Sequence, residues 1–101
     1  MRARDLALRG ALAGNPRCMQ VHGNYCVADS EASGGSGSPR FIEGRDWMEK
    51  AASQGEVNAM FQCGILYRHS GNRAQALYWL EKAERAGDAD AREYITRYGL
   101  E

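Results

Sequence analysis

One thirteen-residue phrase occurs twice in this chain. Residues 47–59 read Trp-Met-Glu-Lys-Ala-Ala-Ser-Gln-Gly-Glu-Val-Asn-Ala and residues 79–91 read Trp-Leu-Glu-Lys-Ala-Glu-Arg-Ala-Gly-Asp-Ala-Asp-Ala, and both fit W-x-E-K-A-x-x-x-G-x-x-x-A. A phrase that recurs at a fixed spacing is the signature of a helical repeat array. Each unit of such an array is too small to bury its own apolar face and shares a core with its neighbours. Arrays of this kind usually present a surface to other proteins, so the phrase constrains both architecture and class of activity.

The punctuation of the chain agrees with helices. Residues 2–13 are rich in Ala, Leu and Arg, with Leu6, Ala7, Leu8, Ala11 and Leu12 as the apolar set. Gly14 and Asn15 end that helix, and Pro16 suits the first position of the next because its missing N–H would lack a partner there anyway. Residues 16–28 form a second helix with Cys18, Val21, His22, Tyr25 and Cys26 over its inner side. Residues 29–38 contain Gly-Gly-Ser-Gly-Ser and have the composition of a flexible loop. A third helix then restarts sharply, with Ser38 as N-cap and Pro39 in the first turn, and holds a helical period through Phe41, Met48, Ala51 and Ala52 to residue 54. Further helices are expected over 57–69, 72–86 and 89–98, punctuated by Gly55, Gly71-Asn72 and Gly87, with Asp88 capping the last. No segment alternates with a period of two strongly enough to compete as a strand. The expectation is a single all-α domain over residues 1–101, of about six helices in antiparallel pairs, with the Gly/Ser loop inside its first repeat.

The registers overlay. Gly14, Gly55 and Gly87 mark equivalent helix ends; the small residues Cys18, Ala59 and Ala91 follow four later, and Gly10, Ala51 and Ala83 stand four before. Gly23 and Gly64 each follow nine residues after the first two of those glycines. Small residues at these points let paired helices approach closely. Trp47 and Trp79 occupy equal places in successive repeats, which favours packing over a role as aromatic platforms.

At these residues the chain resembles the Sel-one-like repeat, a relative of the tetratricopeptide repeat. Ala59, Cys63, Gly64 and Tyr67 match that family's first-helix pattern A-x-x-x-L-G-x-x-Y, with Cys for Leu. Ala76, Trp79, Lys82, Ala83 and Gly87 match its second-helix pattern A-x-x-W-x-x-K-A-A-x-x-G, with Glu84 at the second alanine, and Gly44, Trp47, Lys50, Ala51, Ala52 and Gly55 match the preceding copy. The likeness is good over residues 39–91 and weak over 5–28, where Cys18, His22, Gly23 and Cys26 stand at the Ala, Leu, Gly and Tyr positions. The resemblance implies a right-handed α-solenoid of helix pairs and a non-catalytic role as an adaptor or scaffold that binds proteins; bacterial members of the family are numerous.

Charge and composition narrow the partners. The 13 basic residues balance the 13 acidic ones, so no basic excess points to nucleic acid. No apolar run approaches the roughly 18 residues a membrane span needs. The opening Met-Arg-Ala-Arg-Asp lacks the apolar stretch of a signal peptide, so a cytoplasmic location is expected. Cys18, Cys26 and Cys63 are an odd number, and eight residues of helix separate Cys18 from Cys26 by about 12 Å of rise, too far for a disulfide. Free thiols are the simplest account.

Chemistry is sparsely represented. Cys18, His22 and Cys26 follow C-x-x-x-H-x-x-x-C on one helix face, and Cys63 of the next repeat would complete a metal or thiol sensor. A straight helix spreads the outer two cysteines too far apart to hold one ion, so packing is the favoured reading and no metal or cofactor is expected. There is no nucleophile elbow, phosphate loop or other catalytic grouping, and His69 reads as a polar helix-end residue. The chain is expected not to be an enzyme.

A partner-binding stripe follows from what the core leaves over. Ala59, Met60, Cys63 and Tyr67 face the helix-pair core, which places Asn58, Phe61, Ile65 and Arg68 on the stripe that lines the concave groove in the related repeats. The matching stripe of residues 16–28 is Arg17, Gln20, Asn24 and Val27, and that of the last helix is Asp90, Glu93 and Arg97. The expected ligand is a protein or peptide, anchored by Phe61 and Ile65 and oriented by Arg17, Gln20, Asn24, Asn58 and Arg68. The bland alternative is that Phe61 and Ile65 pack against the next helix pair. A self-associating module, as a weak homodimer, is a further alternative.

Overall fold

The computed structural model describes residues 3–31 and 38–100, and these form six α-helices and no strand. The helices are α1 (Ala3–Leu12), α2 (Pro16–Glu31), α3 (Pro39–Ser53), α4 (Val57–His69), α5 (Arg73–Arg85) and α6 (Ala89–Arg97). Their ends lie within one residue of those the sequence predicts, except that α2 runs on past residue 28. Residues 29–31, expected as loop, are helical. Ser30 is fully buried and its hydroxyl donates to the Val27 carbonyl at 2.6 Å, so a residue that reads as loop is satisfied inside the last turn. Residues 32–37 of the expected loop lie outside the described residues.

One closure serves five helix ends, the end of α6 at Gly99 included. After α3, Gly55 N–H donates to the Ala52 carbonyl at 3.0 Å and Glu56 N–H to Ala51 at 3.2 Å, while Gly55 takes φ 95°. The same bond pair recurs at Gly14, Gly71 and Gly87, all with positive φ. This geometry satisfies two terminal carbonyls and needs a left-handed residue, which glycine supplies without strain. At the other ends, Ser38, Asn72 and Asp88 accept backbone N–H bonds as side-chain caps. Asn15 does the same for Cys18 N–H at 3.1 Å, so it starts α2 as well as ending the turn after α1.

Each helix packs mainly on its neighbours in the chain, giving a slab 42 × 30 × 16 Å in extent. Its core is built from alanines (Ala51, Ala52, Ala59, Ala76, Ala83, Ala91) with Met48, Leu80 and Ile95 fully buried among them. Glycine sets the closest approaches. A Cβ on Gly23 would meet the Gly44 carbonyl at 2.8 Å and the Met48 methyl at 3.3 Å. The equivalent Gly64 leaves the notch that Leu80 fills. Both helix pairs thus seat a bulky residue of the second helix against a glycine of the first. Trp47 and Trp79 also have related surroundings, with Lys50 and Lys82 lying over their rings at 5.1 and 5.3 Å.

Two parts of the expected core are corrected. In α1 only Ala7 and Ala11 are buried, while Leu6, Leu8 and Leu12 are 54%, 37% and 71% exposed. This first helix has a single strong neighbour, α2, and meets it through its small face, so the larger residues turn outward. On α2, Met19 is buried and Val21 exposed, because the face turned to α3 is that of His22, Gly23 and Cys26. One turn back from those residues lies Met19.

Charged ties cross the helix pairs. Asp29 accepts from Arg4 at 2.9 Å and from Arg40 at 3.2 Å, joining α1, α2 and α3. Arg92 grips Glu84 with two bonds of 2.6 and 3.0 Å, joining α5 to α6, and holds that carboxyl below its ordinary value of 4.5. The folded state therefore binds fewer protons than the unfolded one in this range. The tie contributes fully above 4.5 and is lost as pH falls through the lowered folded value. A carboxyl-detected NMR titration should place Glu84 below 4.5 and return it to the ordinary range in Arg92→Ala; an unchanged Glu84 would remove Arg92 as the cause.

Candidate functional site

The seven residues predicted to contact a partner divide into two regions. On α4, Phe61, Ile65 and Arg68 are half-buried and Asn58 is exposed. Phe61 meets Tyr94 of α6 edge to face, with centroids 5.6 Å apart. Arg68 donates to the Tyr94 hydroxyl at 2.5 Å and lies 4.1 Å over the Tyr98 ring. Tyr94 and Tyr98 themselves touch at 4.5 Å, one helical turn apart. The result is a strip of one cation and three aromatic rings bridging α4 and α6, with Tyr98 still 44% exposed. Such contacts combine ring-edge and cation–π attraction while leaving polar tips free for solvent or a ligand.

On α6, Tyr94 and Tyr98 reach Phe61 and Arg68 of α4, while Asp90, Glu93 and Arg97 of the expected stripe are exposed. Ala91 and Ile95 are fully buried, and the positions three beyond each, 94 and 98, adjoin that face on the side of α4. The signal was present as an aromatic pair spaced i, i+4 opposite Phe61 and Arg68. Phe61 accordingly has a local partner in Tyr94 and is only partly available.

On α2 the residues are more dispersed. Gln20 is half-buried and Asn24 exposed. Arg17 borders a mostly apolar cleft between α1 and α2, together with Ala3, Leu6, Ala7, Cys18 and Val21. It is thus placed on the α1 side of the molecule rather than with Phe61.

The thiols also separate. All three cysteines are free. Cys63 is buried beside Tyr67, whose hydroxyl donates to Glu49 and whose ring lies 4.8 Å beneath Arg45. Burial pushes the Cys63 thiol well up, and burial with the Glu49 bond raises Tyr67 to about 12. Both are inert protonated groups at neutral pH. Cys18 lies against Gly10 on α1. Of the four residues considered for a sensor, His22 and Cys26 come together, with Nε2 and Sγ 3.6 Å apart. Glu43 of α3, which the sequence did not single out, joins them with a carboxylate oxygen 3.8 Å from the same nitrogen. Burial lowers the His22 pKa, partly offset by Glu43, so the imidazole is neutral at pH 7. Cys26 is shifted upward by burial.

No family model matches the chain, and no solved structure matches it. A curated protein, chitin synthase regulatory factor 4 of Schizosaccharomyces pombe, is 42% identical to it over 47 residues. That stretch is 46% of this chain and 7% of the yeast protein. Among the described residues no helix is long and apolar enough to cross a membrane.

Proposed function

We propose that this chain is a non-catalytic protein-interaction module, a right-handed solenoid of Sel-one-like helix pairs that holds a protein or peptide against the groove side of α2, α4 and α6. The observation that carries the reading is the Phe61–Arg68–Tyr94–Tyr98 strip, which sits on helices whose other faces are already committed to the core. A half-exposed arrangement of aromatic rings around a guanidinium suits a peptide with an apolar anchor flanked by polar or acidic groups. The repeated phrase, the matched glycine seats and the shared helix closure support the solenoid. The short likeness to a yeast protein named as a regulatory factor is compatible with a regulatory adaptor and adds nothing about a partner.

Peptides selected from a displayed library against the purified chain test this. The leading peptide should shift NMR resonances of Phe61, Ile65, Arg68 and Tyr98. Truncation of one such anchor typically costs on the order of 1–2 kcal/mol, so Phe61→Ala and Arg68→Ala should each weaken binding roughly tenfold or more while helicity is kept. Resonance shifts confined to the α1–α2 cleft would contradict it. That cleft, with Leu6 and Val21 exposed, favours one second reading, weak self-association. In that case the sedimentation coefficient should rise with concentration and Leu6→Glu should abolish the rise.

A further inference from the structure

We propose that His22, Cys26 and Glu43 bind a divalent transition metal of the zinc class, with the fourth coordination position open on the Glu43 side. The three donor atoms come from two helices and lie within 4.8 Å of one another. Tetrahedral zinc, with bonds of about 2.0–2.1 Å to nitrogen and 2.3 Å to sulfur, keeps those two ligand atoms about 3.6 Å apart. The His22 Nε2 to Cys26 Sγ separation is 3.6 Å. The Glu43 oxygen is 3.8 Å from Nε2, and its side chain is 46% exposed, so it has room to close on the ion when one binds.

The backbone fixes this convergence. His22 and Glu43 immediately precede Gly23 and Gly44, the two glycines whose mutual approach sets the α2–α3 crossing. Cys26 stands one turn after His22, and a Cβ on Gly44 would come within 3.0 Å of the Cys26 Cβ. The ligands are thus carried on rigid helix rather than on a loop, as a metal site requires. The outer shell is also present. Arg40 holds the second oxygen of Glu43 at 3.0 Å, leaving the first to face His22, and is itself tied to Asp29 at 3.2 Å. A ligating carboxylate oriented in this way is a usual feature of metal sites. Ligation through Nε2 places the His22 proton on Nδ1, which is buried and has no acceptor among the described residues, so the outer shell is supplied on the Glu43 side alone.

The second repeat lacks the set. Its equivalent positions in the sequence hold Cys63, Tyr67 and Gln75, so that a tyrosine stands at the register of Cys26. The departures of the first repeat from its sister therefore coincide with the three donors. Binding converts the Cys26 S–H and M²⁺ into a sulfur–metal bond and one proton released to solvent. Thiolate and carboxylate together then neutralise the ion, while Asp29 remains paired with the nearby Arg40 and Arg4.

The test uses the full chain, reduced, with Co²⁺ as a spectroscopic probe and Zn²⁺ in competition with a chromophoric chelator. One equivalent of Co²⁺ should produce a thiolate-to-metal absorption band that survives Cys18→Ser and disappears in Cys26→Ser. Glu43→Gln, at an exposed position, should weaken Zn²⁺ binding at least tenfold with unchanged circular dichroism. Absence of the band, its persistence in Cys26→Ser, or Zn²⁺ affinity indifferent to Glu43→Gln would overturn the site. If Cys26→Ser loses helicity, the Glu43→Gln result decides alone.

Discussion

Gly44→Ala is expected to destabilise the chain by about 2 kcal/mol, against the trend for glycine in a helix. Replacing a mid-helix glycine by alanine ordinarily gains about 1 kcal/mol of helix propensity. Here the added Cβ would lie 2.7 Å from the Gly23 carbonyl and 2.8 Å from a Val27 methyl. The carbonyl belongs to the α2 backbone and cannot rotate away, so the helices must part. Overpacking of a tight core costs about 1–3 kcal/mol and occasionally more, which outweighs the propensity gain. For a domain of this size the shift corresponds to a fall in Tm of about 10 °C. Urea denaturation of Gly44→Ala beside the parent chain measures it; a more stable variant would mean that α2 and α3 do not cross at their glycines.

Leu80→Ala should be costlier still, at about 3 kcal/mol, because the side chain is fully buried and its removal leaves a cavity beside Gly64. Gly64→Ala alone should also destabilise, since its Cβ would collide with Leu80 at the branch carbon. The pair should not add. With Leu80 shortened, the new methyl at position 64 occupies part of the vacated space, so the double variant should be more stable than Leu80→Ala alone. Contacting residues commonly show coupling of about 0.5–3 kcal/mol, well above the error of a denaturation curve. Additive losses would show that position 64 does not face Leu80.

The helices were legible because their ends carry local chemistry: a left-handed glycine, a capping Ser, Asn or Asp, or a proline in the first turn each fixes a boundary within a residue or so. The exception, α2, extends through Ser30, whose buried hydroxyl bonds back to Val27. That bond is local to the turn, whereas the burial of Ser30 depends on how α2 packs, so composition alone reads the segment as loop. Orientation was harder to read than existence. The apolar residues of α1 promised a buried stripe, but with α2 as its one strong neighbour only Ala7 and Ala11 find cover. The contact of α6 with α4 is not legible in the sequence because Tyr94 is amphipathic. Its ring packs against Phe61 while its hydroxyl accepts from Arg68, and a count of apolar positions misses that. Glu43 was invisible for a different reason. Its proximity to His22 and Cys26 depends on which residues flank the touching glycines of two helices, a tertiary fact with no sequence spacing of its own.

The fold consists of helix pairs seated at glycine, stacked so that Phe61 and Arg68 of α4 meet Tyr94 of α6. Proton–proton NOEs in the full chain test both contacts at once. Cross-peaks are predicted between the α-protons of Gly23 and Gly44, and between the Phe61 and Tyr94 rings. A folded, helical chain showing neither cross-peak would contradict the pairing and the stacking together.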